Sequence, residues 1–176
     1  MTVLFAYDGS AGAEHAISEA SRLLGARVGD AIVLSVWEPV VVESMRIAAL
    51  GAGHEPIVPS DAAAVDRSSE QHARTLSEQG AALARDAGFQ ARAVAVGDAH
   101  DVAGAILAAA TQAGAELIVL GARGLSGLRA LLGSVSTRVA ERADVPVLVI
   151  HHPASRRQVP RADQTGPGTD EVPKTD

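Results

Sequence analysis

The sequence predicts an α/β protein, a doubly wound parallel sheet of five strands with helices on both faces. Three observations carry this. Short apolar runs at Val3–Tyr7, Ala31–Trp37, Gln90–Val96, Leu117–Leu120 and Val145–Ile150 read as strands. Longer segments between them repeat their apolar residues at helical spacing, and strict alternation of the two element types implies parallel strands joined by right-handed crossovers. The chain has 176 residues, 47% of them hydrophobic, which suits one domain with a real core.

The elements follow in order. After the first strand, Asp8-Gly9-Ser10 forms a turn and Ser10 is placed to cap a helix. Ala13, Ala16, Ile17, Ala20 and Leu23 give that helix an apolar face, and Gly25 stands where it would stop. The second strand ends at Trp37, which reads as a core or pocket-wall residue. Residues 38–60 lack a clean period and hold Gly51, Gly53, Pro56 and Pro59; they read as a long connection with a short helix near Glu43–Leu50. A long helix is predicted from Asp61 to Ala87, its inner face formed by Val65, Ser69, Ala73, Leu76, Gly80, Leu83 and Ala87. Glu70 and Arg74 are spaced to pair on its surface, and Gly88 ends it.

The third strand carries Arg92 among small residues, which suits a sheet edge. Gly97-Asp98 turns the chain, Asp101 can cap a helix reaching Ala113, and Gly114 stops it. After the fourth strand and a glycine-rich loop, Ser134 is expected to cap the last helix. Pro146 cannot donate to a ladder, so the fifth strand belongs at an edge. From residue 153 to 176 the chain is rich in Pro, Gly, Thr and charge, and Val159 and Val172 are its only aliphatics larger than alanine. This stretch cannot offset its ordering entropy and is read as a disordered tail. The folded domain is therefore set at 1–152.

The stretch from Gly121 to Thr137, GARGLSGLRALLGSVST, carries the chemistry. It lies between a strand and a helix. Glycines let backbone approach a ligand closely. The first turn of a helix offers unpaired N–H groups and a partial positive charge. Together they make an anion cup that needs no basic side chain. In doubly wound sheets ligands bind beyond the carboxyl ends of the strands. Asp8, Val36-Trp37 and Gly121 all fall at such ends and should converge on one crevice. Asp8 could instead only close a turn, and Arg123 and Arg129 could be solvated side chains rather than phosphate neighbours.

Composition narrows the alternatives. The formal net charge is −6, so a broad nucleic-acid surface is not expected. Without cysteine there is no disulfide, thiolate nucleophile or cysteine-based metal site. Lys174 is the only lysine, which removes the lysine of a Walker A loop and a lysine Schiff base from the folded body. No apolar run nears the ~20 residues of a membrane span. The N-terminus runs directly into strand-like sequence without a basic region or cleavage signal, so a soluble cytoplasmic protein is expected. Ser126 sits in Gly-Leu-Ser-Gly, which is no nucleophile elbow. His151-His152, adjacent at a strand end, would point to opposite faces and make a poor metal pair.

With these motifs in view, residues 2–151 resemble the universal stress protein family. The anchors are Leu4-Phe-Ala-Tyr-Asp-Gly-Ser10, Gly97-Asp98, Ile118-Val-Leu-Gly-Ala-Arg-Gly124, Leu132-Gly-Ser-Val-Ser136 and Val145-Pro-Val-Leu-Val149. The resemblance implies a five-stranded parallel sheet of order 3-2-1-4-5, ATP as ligand and a homodimer through the last strand. It places Asp8 near the adenine and ribose, and the backbone of Val36 at the adenine edge. It sets Leu120 and Gly121 at the start of the glycine pattern, Gly124, Gly133 and Ser134 at the phosphates, and a Val135 N–H beside them. Ala6, Tyr7, Arg123 and Ser136 complete the candidate nucleotide site. The family pattern has nine residues between its second and third glycines; here eight, Leu125–Leu132, separate Gly124 from Gly133.

The reading of function is an ATP-binding regulatory module of stress response, with Mg²⁺ carried by the phosphates. It would act by changing the interactions of a partner protein that the sequence does not name. No evident base stands ready to activate water, so at most slow ATP hydrolysis is expected. Two alternatives remain open at this point. One is an enzyme transferring phosphoryl or adenylyl groups, for which Asp8 and Asp98 are the candidate acids. The other is a structural dimer with an empty pocket.

Overall fold

A computed structural model describes residues 1–25, 29–40, 60–98, 101–122 and 133–151. The strands are β1 (Val3–Ala6), β2 (Asp30–Trp37), β3 (Gln90–Gly97), β4 (Leu117–Ala122) and β5 (Val147–His151). The helices are α1 (Ala11–Leu24), α2 (Ala62–Asp86), α3 (Val102–Gln112) and α4 (Ser134–Arg142). All strand pairs are parallel and the sheet order is β3-β2-β1-β4-β5. The expected fold class and strand order are both observed.

Central β1 pairs with β2 on one side and β4 on the other, with Phe5 level with Val33 and Val119. The chain reverses its direction of winding between β1 and β4, which opens a crevice beyond their carboxyl ends. Strand alternation sends neighbouring residues to opposite faces, so the sheet has two cores. One packs Phe5, Tyr7, Ile17, Val33 and Val119 with α1 and α2; Phe5 meets Phe89 edge to face at 5.1 Å. The other packs Leu4, Ile32, Leu34, Ile118 and Ile106 beneath α3, with Val139 of α4.

Local signals set most of the element ends. The Ser10 hydroxyl accepts a hydrogen bond from the Ala13 N–H at 3.2 Å and caps α1. Gly25, Gly88 and Gly114 follow α1, α2 and α3 with positive φ, the conformation in which glycine carries no steric penalty. Arg74 and Glu70 pair at 2.6 Å on the surface of α2. Pro146 stands just before β5, an edge strand that therefore begins two residues later than expected and runs on to His151; the Pro146 carbonyl accepts from the Ile118 N–H at 3.0 Å.

The structure corrects two helix faces. Leu23 is 56% exposed, and Leu24 packs on the core in its place. At 100° per residue, Leu24 falls in the middle of the stripe made by Ala13, Ala16, Ile17 and Ala20, while Leu23 falls beyond its edge. On α2 the buried residues are Ala62, Ala73, Ser77, Gly80, Ala81 and Ala84, and both Val65 and Leu83 are exposed. The inner face is turned by less than one residue step toward the smallest side chains. The cause is close approach: a Cβ at Gly80 would stand 2.7 Å from Val33 Cγ1 and 2.9 Å from the Tyr7 ring. The short helix expected near Glu43–Leu50 and the tail at 153–176 lie outside the described residues.

Candidate functional site

The end of β1 leads into the turn that shapes the crevice. The Tyr7 N–H donates to the Leu34 carbonyl at 2.8 Å, and the buried Ser35 hydroxyl donates to the Tyr7 carbonyl at 2.8 Å. These bonds fix the strand end immediately before Asp8. One Asp8 carboxylate oxygen then accepts from the Ser10 N–H at 3.0 Å, closing the turn. Gly9 has φ 75°, and a Cβ there would meet Leu76 Cδ2 of α2 at 2.8 Å. The Asp8 loop thus rests directly on a helix. Asp8 both closes a turn and lines the crevice.

At the end of β2 the alternation of side chains separates neighbours. Val36 and Glu38 line the crevice. Trp37 does not: its ring lies against Gly97 of β3, where a Cβ would come within 3.0 Å of it. The chain beyond Glu38 is tied to α2 by the Val40 N–H, which donates to Asp66 at 2.6 Å. On the other side, Leu120 and Gly121 of β4 reach the same cavity. A Cβ at Gly121 would stand 2.6 Å from the Gly12 carbonyl and 2.8 Å from the Ala13 nitrogen, so this glycine lets the first turn of α1 press onto β4.

The fourth wall is the start of α4. Gly133, not Ser134, is its N-cap, with φ −61° and ψ 156°, and Ser134 is the first helical residue. The difference is one residue; the Thr137 N–H closes the first turn onto the Gly133 carbonyl at 3.0 Å. The geometry of a helix start leaves the N–H groups of Ser134, Val135 and Ser136 outside the intrahelical ladder, and all three residues line the cavity. The Ser136 hydroxyl donates back to Gly133 at 3.3 Å.

Asp101 was expected to cap α3 with its side chain. It holds the N-cap position, but its carboxylate is engaged elsewhere, by Arg142 at 2.6 Å and Arg138 at 3.1 Å. The Gly104 N–H faces it without completing a cap hydrogen bond. The Arg142 hydrogen bond first, then the Gly104 N–H, hold the Asp101 carboxyl below its ordinary range. This clamp joins the start of α3 to the outer turns of α4. Asp98 accepts from the Asp101 N–H at 2.9 Å and does not line the cavity.

The resulting cavity measures about 370 Å³, a size usual for small-molecule sites. It brings together the sequence candidates Ala6, Tyr7, Asp8, Val36, Leu120, Gly121, Gly133, Ser134, Val135 and Ser136. Arg123 and Gly124 lie outside the described residues. Ser10, Ala13, Leu34, Glu38, Val102 and Ile106 also line it and were not anticipated. Glu38 was legible: it follows Val36 by two, hence on the same side of the strand. Val102 and Ile106 form an i,i+4 pair on α3, and only the packing of α3 beside β2 turns that face to the cavity.

The described lining is polarised. Its ionisable side chains are Tyr7, Asp8 and Glu38, none of them basic. Burial, then the Glu14 and Asp8 carboxylates, push the Tyr7 phenol up, so it stays neutral. The anionic side chains stand at the β1 and β2 ends, and the positive end of the α4 dipole stands opposite. Such a cavity can take an elongated molecule with hydrogen-bond donors at one end and negative charge at the other.

The profile of the universal stress protein family matches residues 1–151. The chain belongs to the universal stress protein family. Among curated universal stress proteins it is similar to YxiE of Bacillus subtilis (strain 168), 29% identical over 151 residues that cover 84% of this chain and 97% of that one. A universal stress protein from Archaeoglobus fulgidus, solved in complex with dAMP, shares the fold with a TM-score of 0.55 at 18% identity, covering 85% of this chain and 97% of its own. A universal stress protein solved in complex with cAMP aligns with a TM-score of 0.55 at 22% identity, over 86% of this chain and 96% of its own. Among the described residues, no helix is long and apolar enough to cross a membrane.

Proposed function

We propose that this universal stress protein binds ATP in the cavity and acts as a regulatory module, changing its contacts with other proteins when the nucleotide is bound. The observation that carries this is the convergence of the β1, β2 and β4 ends with the N–H groups of α4 on one cavity. That two members of the family were solved with adenine nucleotides supports the choice of ligand. In this reading the triphosphate lies at Gly133, Ser134, Val135 and Ser136, with Gly121, Gly124 and Arg123 beside it. Asp8 lies near the adenine and ribose and accepts from the sugar, and the backbone of Val36 meets the adenine edge. Among the described residues no three His, Cys, Asp or Glu side chains stand together to cage a metal. In this reading a Mg²⁺ ion would be carried by the phosphates themselves. Mg²⁺ would neutralise phosphate charge when bound.

A calorimetric titration with Mg²⁺ and ATP tests the reading. Binding is expected in the micromolar range, roughly −8 kcal/mol. Asp8→Ala should weaken ATP and adenosine alike, by about 1–3 kcal/mol for a lost bond to the sugar. Absence of heat at millimolar ATP would remove the proposal. An Asp8→Ala variant with natural affinity would remove the sugar assignment alone.

The same reading includes a homodimer through β5. This strand is at the sheet edge, and its Val147, Leu148 and Val149 are half-buried within one chain. An apolar edge with open ladder groups favours pairing. Lysines at both Val147 and Val149 should give monomers or insoluble protein, measured by light scattering. A natural protein that scatters as a monomer ends the idea.

A further inference from the structure

We propose that Glu38 selects the nucleobase, admitting bases that present an exocyclic amine at the edge facing the end of β2 and rejecting those that present a carbonyl oxygen at that edge. This rests on the nucleotide reading above. The anion cup at α4 stands over β4, and the sheet runs from there through β1 to β2. Neighbouring strands lie ~4.8 Å apart, so β2 is ~10 Å across from β4. A nucleotide with its phosphates at α4 crosses the β1 end with its sugar, beside Asp8. Its base then reaches the β2 end. There the wall is apolar, formed by Leu34, Val36 and Ile106, until Glu38 closes it.

Glu38 is an exposed residue at the rim, on the same side of the strand as Val36. An ionised carboxylate only accepts hydrogen bonds. Adenine and cytosine offer an amine at the edge where guanine and uracil offer a carbonyl oxygen. A carboxylate there bonds the first pair and repels the second. Asp8 is less suited to this task, because it lies at the sugar position and one of its oxygens already accepts from Ser10.

The full chain is titrated calorimetrically with the Mg²⁺ complexes of ATP, CTP, GTP and UTP, and with inorganic triphosphate. The natural protein should prefer ATP to GTP by about tenfold, the scale of one hydrogen bond to a charged group gained or lost. Glu38→Gln is the decisive variant. Its amide can both accept and donate, so ATP affinity should hold within about threefold while GTP gains about tenfold. Glu38→Leu should lower ATP affinity about tenfold and raise GTP affinity about threefold, since it removes both the bond to the amine and the repulsion of the carbonyl oxygen. Inorganic triphosphate should bind all three proteins equally, which shows that the cup is intact. If ATP binds and Glu38→Gln leaves the ATP-to-GTP ratio unchanged, Glu38 does not read the base and the nucleotide reading stands. If none of the four nucleotides binds, the nucleotide reading falls and this inference falls with it.

Discussion

Gly121→Val is expected to destabilise the protein by about 3 kcal/mol or more, the largest effect of any single substitution near the cavity. Overpacking a core usually costs about 1–3 kcal/mol, because side chains can shift to make room. Here the added Cβ would stand 2.6 Å from the Gly12 carbonyl and 2.8 Å from the Ala13 nitrogen, all backbone atoms of the first turn of α1. Backbone in a capped helix turn cannot rotate away. Relief requires moving α1 off β4, which opens the core around Val119 and Ile17. A urea unfolding curve measures the loss directly. Gly133→Ala is the contrasting variant. It belongs to the same glycine pattern, yet its nearest neighbour to an added Cβ is the Ser136 hydroxyl at 3.6 Å and its φ is −61°. It should stay within about 1 kcal/mol of the natural protein, the scale of an N-cap change. Equal stability of the natural protein and Gly121→Val would refute the close approach of α1 to β4.

Ser134→Pro should separate binding from folding. Ser134 is the first helical residue of α4, the position at which proline is best tolerated. The residue before a proline must be extended, and Gly133 already has ψ 156°. The substitution therefore removes one cup N–H and one hydroxyl while leaving the helix intact. A hydrogen bond to a charged group contributes about 1.5–3 kcal/mol, so ATP affinity should fall roughly 10- to 100-fold. Adenosine, which lacks phosphates, should bind as before, and the urea midpoint should move little. Parallel losses for ATP and adenosine would place the phosphates away from α4.

Gly121 and Gly133 belong to one glycine pattern but are residues of different kinds. Gly121 is needed where backbone presses on backbone, whereas Gly133 only caps a helix. Glycine spacing alone cannot distinguish them, because the distinguishing neighbours, Gly12 and Ala13, are more than a hundred residues away in the chain.

The sequence by itself determined whatever rests on neighbours a few residues apart. The strand and helix order, the Ser10 cap, the Gly88 and Gly114 stops, the Glu70–Arg74 pair and the edge position of the Pro146 strand were all legible, since each depends on backbone sterics or a contact within one turn. The placement of Asp8, Val36 and Gly121 at one crevice followed from a rule about strand ends. Tertiary structure decided the rest. It turned α2 toward Gly80 and Ala84 and left Leu83 and Val65 outside, because the sheet admits only small side chains at that distance. It drew the Asp101 carboxylate to Arg138 and Arg142 of another helix. It made Val102 and Ile106 into a cavity wall. Each of these outcomes is a competition between a local partner and a distant one, and the distant partner enters only when packing brings it within reach.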